Sequence, residues 1–592
     1  MTNELNQALG TTEIIWRLSD LYQGGDDPQI DADLGHCHAE AQAIQSQFGG
    51  KLGALDPAGL LALVSRLEEL AVIRGRLGTF AFLNFTTQTQ DSKAGAFLQR
   101  LREEESQLAK LTIFFELEWS ALAEEIVAPL LADPRLDRYR HYLKSVRRYA
   151  PHLLSHPEER LLLEIAPVGR GAWNLLFDKV MGQMKFGESG RGEEEVLADL
   201  YHADREVRQK AADEMSAGLA SQIHVLTHLT NTLLADKMID DRLRRYPGWL
   251  SAMNLANEVE DQTVATLVTE VTRRYDLPCR YYRLKRRLLG LNELFDYDRY
   301  APLPHLPTRQ VGWEEGRRLV LAAFSGFSEE MAMVAELFFS RGWIHAPILK
   351  GKSGGAFAHP CTPDVHPYVL VNYTGNIRDL STVAHELGHG VHQYLAAPKG
   401  YLNSDTPLVL AETASVFAEL ILFKHQLGLL TNPAERTAFI AQKLESIFAT
   451  VFRQIAMNRF EELTHTRRRA EGELSAELLS DLWRESQQAM FGDSVRLSEG
   501  YGLWWSYIPH FLHSPGYVYS YAFGELLVLA LYNLYLQDSQ AFVPKYLDLL
   551  RAGGSESPEE LVRPFGVKLP DPEFWRGGLA VIDSLLAQIE TD

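Results

Sequence analysis

Two histidines and a glutamate stand together in LSTVAHELGHGVHQYL, residues 380–395, as His385, Glu386 and His389. Helical side chains four residues apart share a face, so the two imidazoles can turn nitrogens toward one ion with Glu386 beside them. That is half of a tetrahedral zinc shell next to a carboxylate, a pattern suited to activating water. An open catalytic site needs one more protein ligand and keeps a fourth position for water. A histidine six residues after the second would complete one such pattern, but Leu395 stands there. The other solution is a carboxylate from a later helix. PLVLAETASVFAELILFKH, 407–425, offers Glu412 among apolar neighbours, where a lone carboxylate needs a partner or a metal. Glu419, one heptad further on a similar face, is the alternative ligand, or it accepts a hydrogen bond from a ligand histidine. His392, on the same helical side as His389, is a second candidate for such a supporting contact.

Helices must carry these groups. Apolar residues recur at three and four through much of 55–270, as in GLLALVSRLEELAVIRGRLGTFAFLNF, so the chain reads as mainly helical. Ser557, Pro558 and Glu560 form a helix-start signal, as do Ser155 and Glu158. PYVLVNYTG, 367–375, is short, aromatic and β-branched between Pro and Gly, which predicts a strand of a small sheet just before the H-E-x-x-H helix. With an open edge, that strand would take a peptide by main-chain hydrogen bonds. Tyr368 and Val369 are then substrate-binding residues, and Gly354 and Gly355 belong to a flexible flap. APILKGKS, 346–353, has the spacing of a phosphate loop, yet Gly354, Gly355 and Pro360 follow without a helical pattern, which argues against a nucleotide site. The glycine-rich, charged KFGESGRGEEE, 185–195, reads as a domain boundary.

At 592 residues, 46% hydrophobic and 23% charged, the chain is globular and large enough for more than one core. A formal charge of -20 argues against nucleic acid as a partner. The three cysteines form no C-x-x-C pair, the first residues lack a signal-peptide pattern, and LLVLALYNLYLQ, 526–537, is too short to span a bilayer. The expectation is a cytoplasmic protein with no membrane partner. Oligomeric state is not legible.

Further motifs extend the match: HELGHGVH (385–392), AETAS (411–415), KGKSGGAFAHP, PYVLVNYTGN (367–376), IPHFLHSPGYVYSYAFG (508–524) and WRLSDLY (16–22). On these the sequence resembles the M3 zinc metallopeptidases, and within them the oligoendopeptidase F group. The resemblance implies a mainly α, two-lobed helical body with a deep central channel and a small β-sheet beside the H-E-x-x-H helix. It implies an N-terminal helical domain over 1–190 and a catalytic domain over 191–592. It makes His385, His389 and Glu412 the ligands of one Zn2+ per chain and Glu386 the catalytic base, and it leaves Glu419 outside the metal's own ligands. It also points to His510, Tyr517 and Tyr521 as transition-state donors, with His513 competing for the place of His510. The implied activity is hydrolysis of internal bonds in short unfolded peptides. The alternatives are an exopeptidase of the same family and a non-hydrolytic peptide-binding protein, and Glu386 speaks against the latter.

Overall fold

The computed structural model describes residues 2–305, 309–404 and 406–590. Helices dominate, as the periodicity predicts. Those that matter below are α1 (Pro57–Thr86), α2 (Arg205–Leu243), α3 (Ile377–Ala396), α4 (Thr413–Leu429), α5 (Arg453–Glu471), α6 (Tyr519–Gln537) and α7 (Ser539–Ala552). The long apolar stripe of 59–85 forms α1, which starts where Asp56 accepts the Gly59 N–H at 2.8 Å and Pro57 occupies the first turn. Ser557 and Glu560 form the expected reciprocal cap.

By compactness the chain divides into two interleaved units. Unit 1 gathers Met1–Ala150, Pro307–Leu429 and Leu534–Val567; unit 2 gathers Pro151–Leu306, Leu430–Asn533 and Lys568–Asp592.

Unit 1 contains the sheet. Its strands β1 (Ile344–His345), β2 (Phe357–His359) and β3 (Tyr368–Leu370) run in the order β1-β3-β2, with β1 parallel and β2 antiparallel to β3. Tyr368 and Leu370 enter a core with Trp16, Tyr22 and Phe80, the last from α1. The strand expected before the H-E-x-x-H helix is present, but it is the middle one. Tyr368 and Val369 are fully buried, and the Tyr368 hydroxyl donates to the Arg17 carbonyl at 3.2 Å. The edges are β1, buried at both residues, and β2, part-exposed at all three, so the accessible edge belongs to β2, and the substrate-binding assignment of Tyr368 and Val369 is corrected on that ground.

The loop holding Gly354 and Gly355 is tied down as well. Gly351 O accepts from Thr89 N at 2.7 Å, Ser353 N donates to Thr86 O at 2.7 Å, and the Lys352 ammonium caps the carbonyls of His345, Pro347 and Val371. Asn372 bonds the carbonyls of Ser353 and Gly355. This is a clamped turn rather than a flap.

Unit 2 is built on α2, whose Met215, Leu219 and Leu226 meet Phe460, Trp483 and Trp505. The expected boundary at KFGESGRGEEE is an ordered hairpin inside this unit. Phe186 and Arg191 pair across a turn in which Gly187 and Gly190 take positive φ (65° and 67°), and Arg191 binds Asp199 and Glu214. Phe186 is fully buried against Gly218, where a Cβ would stand 2.4 Å from its ring. Among the described residues no helix is long and apolar enough to cross a membrane. The apolar run 526–537 lies in α6, and its first six residues are buried core.

Candidate metal centre

α3 begins at Asn376, whose side chain accepts the Asp379 N–H at 3.0 Å, while Asp379 in turn accepts from Thr374 N at 2.6 Å. This cap fixes the helix immediately after the sheet and sets the phase of the next two turns. His385 and His389 then lie one turn apart with ring centroids 4.9 Å from each other. Glu412 sits at the break between a short helix, Leu408–Ala411, and α4. Its Oε2 lies 3.3 Å from His385 Nε2 and 3.5 Å from His389 Nε2. One ligand atom from each of His385, His389 and Glu412 falls within 4.8 Å of the others.

Gly388, between the histidines, explains how α4 comes so near. A Cβ there would stand 2.6 Å from both Ala414 O and Ser415 Cα, so only glycine lets the two backbones cross at this separation. The supporting contacts are polar. Glu419 Oε1 is 2.6 Å from His385 Nδ1, which directs Nε2 toward Glu412, and Ser415 Oγ donates to Glu412 Oε2 at 2.7 Å. Of the two carboxylates left open by the sequence, Glu412 faces both imidazoles and Glu419 bonds the back of one.

Charge follows this geometry. Burial alone would lower the His385 pKa, but Glu419, Glu412 and Glu386 outweigh it and push it up to about 9. Burial would raise Glu412, and the histidines with Ser415 instead draw it down to about 2. Glu386 is buried; desolvation raises its pKa, with His385 and His389 pulling the other way. His392 is buried, its Nε2 has no hydrogen-bond partner, and burial lowers its pKa to about 4. It is a buried ring at the cavity wall, and among the described residues it makes no supporting contact of the kind expected.

These groups open onto a cavity of about 1430 Å³ within unit 1. Its wall includes Ser65, Glu68 and Val72 of α1, then Ala356 through Val365, and then His385, Glu386 and His389. Gly354, Gly355, Tyr368 and Val369 do not line it. Ala358 lies opposite Val369, and the Val369 N–H bonds Trp343 on the far side, so the main-chain groups of Ala358 turn away from the sheet. Its N–H reaches the Glu386 carboxylate.

Within unit 2, the downstream segment forms a second group. His510 Nε2 lies 3.2 Å from the Tyr521 hydroxyl, and the Tyr517 ring is 5.9 Å from His510 and 5.0 Å from Tyr521. His513 turns elsewhere and pairs with Asp178 at 2.8 Å beside Phe177. The turn before Tyr517 is held by a residue that sequence reasoning missed: buried Glu461 of α5 accepts the Gly516 N–H at 2.7 Å. Ala358, Gly388 and Ser415 were missed too. Gly388 alone left a signal, as a helix-interior glycine.

A family model described as Peptidase family M3 matches residues 329–580, and one described as Oligopeptidase F matches 118–186. Oligopeptidase PepF of Bacillus subtilis is 28% identical to this chain, covering 98% of it and 87% of the relative. An Oligoendopeptidase F homolog of Lactococcus lactis subsp. lactis is 24% identical, covering 98% and 97%. Among solved structures, oligoendopeptidase-F from Enterococcus faecium matches with a TM-score of 0.71 at 22% identity, over 95% of this chain and 98% of that one. A chain from Chlamydophila abortus matches with a TM-score of 0.88 at 24% identity, over 98% of each. At these identities the solved structures establish a shared fold.

Proposed function

From the membership of this chain in peptidase family M3, we propose that it is a zinc-dependent oligoendopeptidase cleaving internal bonds of short unfolded peptides. The observation that carries this reading is the convergence of His385 Nε2, His389 Nε2 and a Glu412 oxygen beside Glu386 in one cavity. Two imidazoles and one carboxylate suit Zn2+ with a position left open, and the Glu419–His385 contact is the buttress such ligands use. The bound ion supplies Lewis acidity at that corner.

The chain's own groups do the rest. Glu386 Oε takes a proton from the water that attacks the peptide carbonyl, and it returns that proton to the amine nitrogen as the C–N bond breaks. The outward C=O of Ala358 on β2, whose N–H is engaged by Glu386, offers a substrate main chain a sequence-tolerant acceptor, which favours peptides of many sequences. His510, Tyr517 and Tyr521 are assigned as donors to the developing oxyanion, a role supported by their gathering into one group that excludes His513.

By sequence match the chain reads as an N-terminal helical region, 1–190, and a catalytic region, 191–592, since the matches at 118–186 and 329–580 fall on either side of residue 190, while by packing the hairpin at that boundary belongs to unit 2. A cytoplasmic setting is supported by three unpaired cysteines. The test is hydrolysis of a peptide blocked at both ends. The protein stripped by chelator is expected to be inactive, Zn2+ to restore it, and mass spectrometry to show internal cleavage. An exopeptidase would leave the blocked peptide intact.

A further inference from the structure

Five cationic side chains are buried or partly buried close together in unit 2, and carboxylates answer only three of them. Arg205 and Arg208 bind Asp298 at 2.9 and 2.8 Å, and Lys285 binds Glu445. Arg299 and Arg453 have no ion-pair partner among the described residues. Arg299 is 4% exposed. Its Nε donates to the Asp296 carbonyl at 2.8 Å, and its guanidinium lies 5.1, 5.3 and 5.2 Å from the ring centres of Tyr300, Phe491 and Tyr501. The Asp296 carboxyl is within electrostatic range of Arg299; its Oδ1 accepts the Ser498 N–H at 2.6 Å, and its Oδ2 is buried without a hydrogen-bond partner. Arg453 donates Nη1 to the Tyr300 hydroxyl at 2.8 Å, and its Nε is buried with no acceptor. The two guanidiniums are near enough to repel each other.

Burying cations in excess of their counter-charges is unfavourable, and aromatic faces offset only part of that cost. The groups gathered here are also of one kind. Both guanidiniums are donors only, and Tyr300, whose oxygen already accepts from Arg453, has its proton left to give. Five cations stand against three carboxylates, Asp298, Glu445 and Asp296, and such an excess of positive charge and of donors describes an anion site.

We propose that unit 2 binds a small inorganic anion of halide size between Arg299 and Arg453, with the Tyr300 hydroxyl as a third donor. The full burial of Arg453 Nε favours a compact ion over a carboxylate-bearing molecule. The site is independent of the metal centre and of the peptidase reading.

The probe is chloride. The unfolding midpoint of the full-length protein is measured in sodium chloride and in sodium gluconate at equal ionic strength. Saturable stabilisation by chloride of about 1–3 °C is expected, with bromide able to replace it. Arg453→Gln should abolish the effect. Equal midpoints in the two salts for the unmodified protein, or a chloride effect that survives in Arg453→Gln, would overturn the proposal. Should that variant not fold, chlorine-35 line broadening on the unmodified protein gives the second readout. Specific broadening relieved by bromide and weakened several-fold in Tyr300→Phe is expected, and its absence overturns the site equally.

Discussion

The metal corner of unit 1 and the histidine–tyrosine group of unit 2 are positioned by different means. At the metal corner, two long helices cross at a glycine, and two of the three candidate ligands have a polar neighbour: Glu419 behind His385, Ser415 beside Glu412. In unit 2, His510 opens a four-residue helix, and Tyr517 follows a turn anchored by a single buried acid, Glu461. A site held by rigid elements is fixed by packing. A site on a turn depends on one or two hydrogen bonds, so its variants should show graded losses where the metal corner fails outright.

The sharpest break is at the base. Glu386→Gln should retain metal and lose kcat by about 10³-fold or more, because proton transfer disappears while the ligands stay. Turnover within tenfold of the unmodified enzyme would remove Glu386 from the mechanism. Next, Glu412→Ala should lower metal affinity by more than about 100-fold, and Glu419→Gln by about 10- to 100-fold, read by competition with a chromogenic chelator. The reverse order would make Glu419 the ligand. In unit 2, Tyr521→Phe should lower kcat by about 10²-fold with KM little changed. His513→Ala should alter it less than about twofold, since that ring is engaged with Asp178. Equal losses would erase the distinction between the two histidines.

The smallest effect concerns the anchor of the turn. Burial raises the Glu461 pKa to about 8, and its Oε2 has no partner, as suits a protonated acid. The unfolded carboxyl loses its proton near 4.5, so the folded state holds an extra proton between these values. Stability from this group is complete below the lower value and is lost as pH rises through the higher one. The unfolding midpoint should therefore decline between pH 6 and about 9, and Glu461→Gln, which keeps an acceptor for Gly516 N–H, should flatten that decline. An unchanged slope would mean that Glu461 is ionised in the fold.

The same contrast governs what the sequence made visible. His385, Glu386 and His389 were legible because helical spacing alone places them on one side of α3. The choice between Glu412 and Glu419 was not, because heptad spacing presumes both lie within one helix. Glu412 precedes α4, at a break that frees its carboxylate to face the imidazoles. The strand at 368–370 was legible from its β-branched and aromatic residues, but its edge was not. Its outer neighbour is three residues long and follows a glycine-rich loop, so nothing local marks Phe357–His359 as the exposed strand. His510 and His513 lie within one turn of each other, and what separates them is Asp178, more than 300 positions away in the chain. Glu461 gave no signal at all, since a glutamate in a charged helix looks solvated until the fold buries it.

The central claim is that His385, His389 and Glu412 hold one zinc ion, with Glu386 outside the ligand set. Crystals of the Glu386→Gln protein grown with Zn2+, measured on both sides of the zinc absorption edge, test it most directly. The account predicts one anomalous peak per chain, about 2.0–2.2 Å from His385 Nε2, His389 Nε2 and a Glu412 oxygen. A peak coordinated by Glu419 in place of Glu412, or located away from α3, would contradict it.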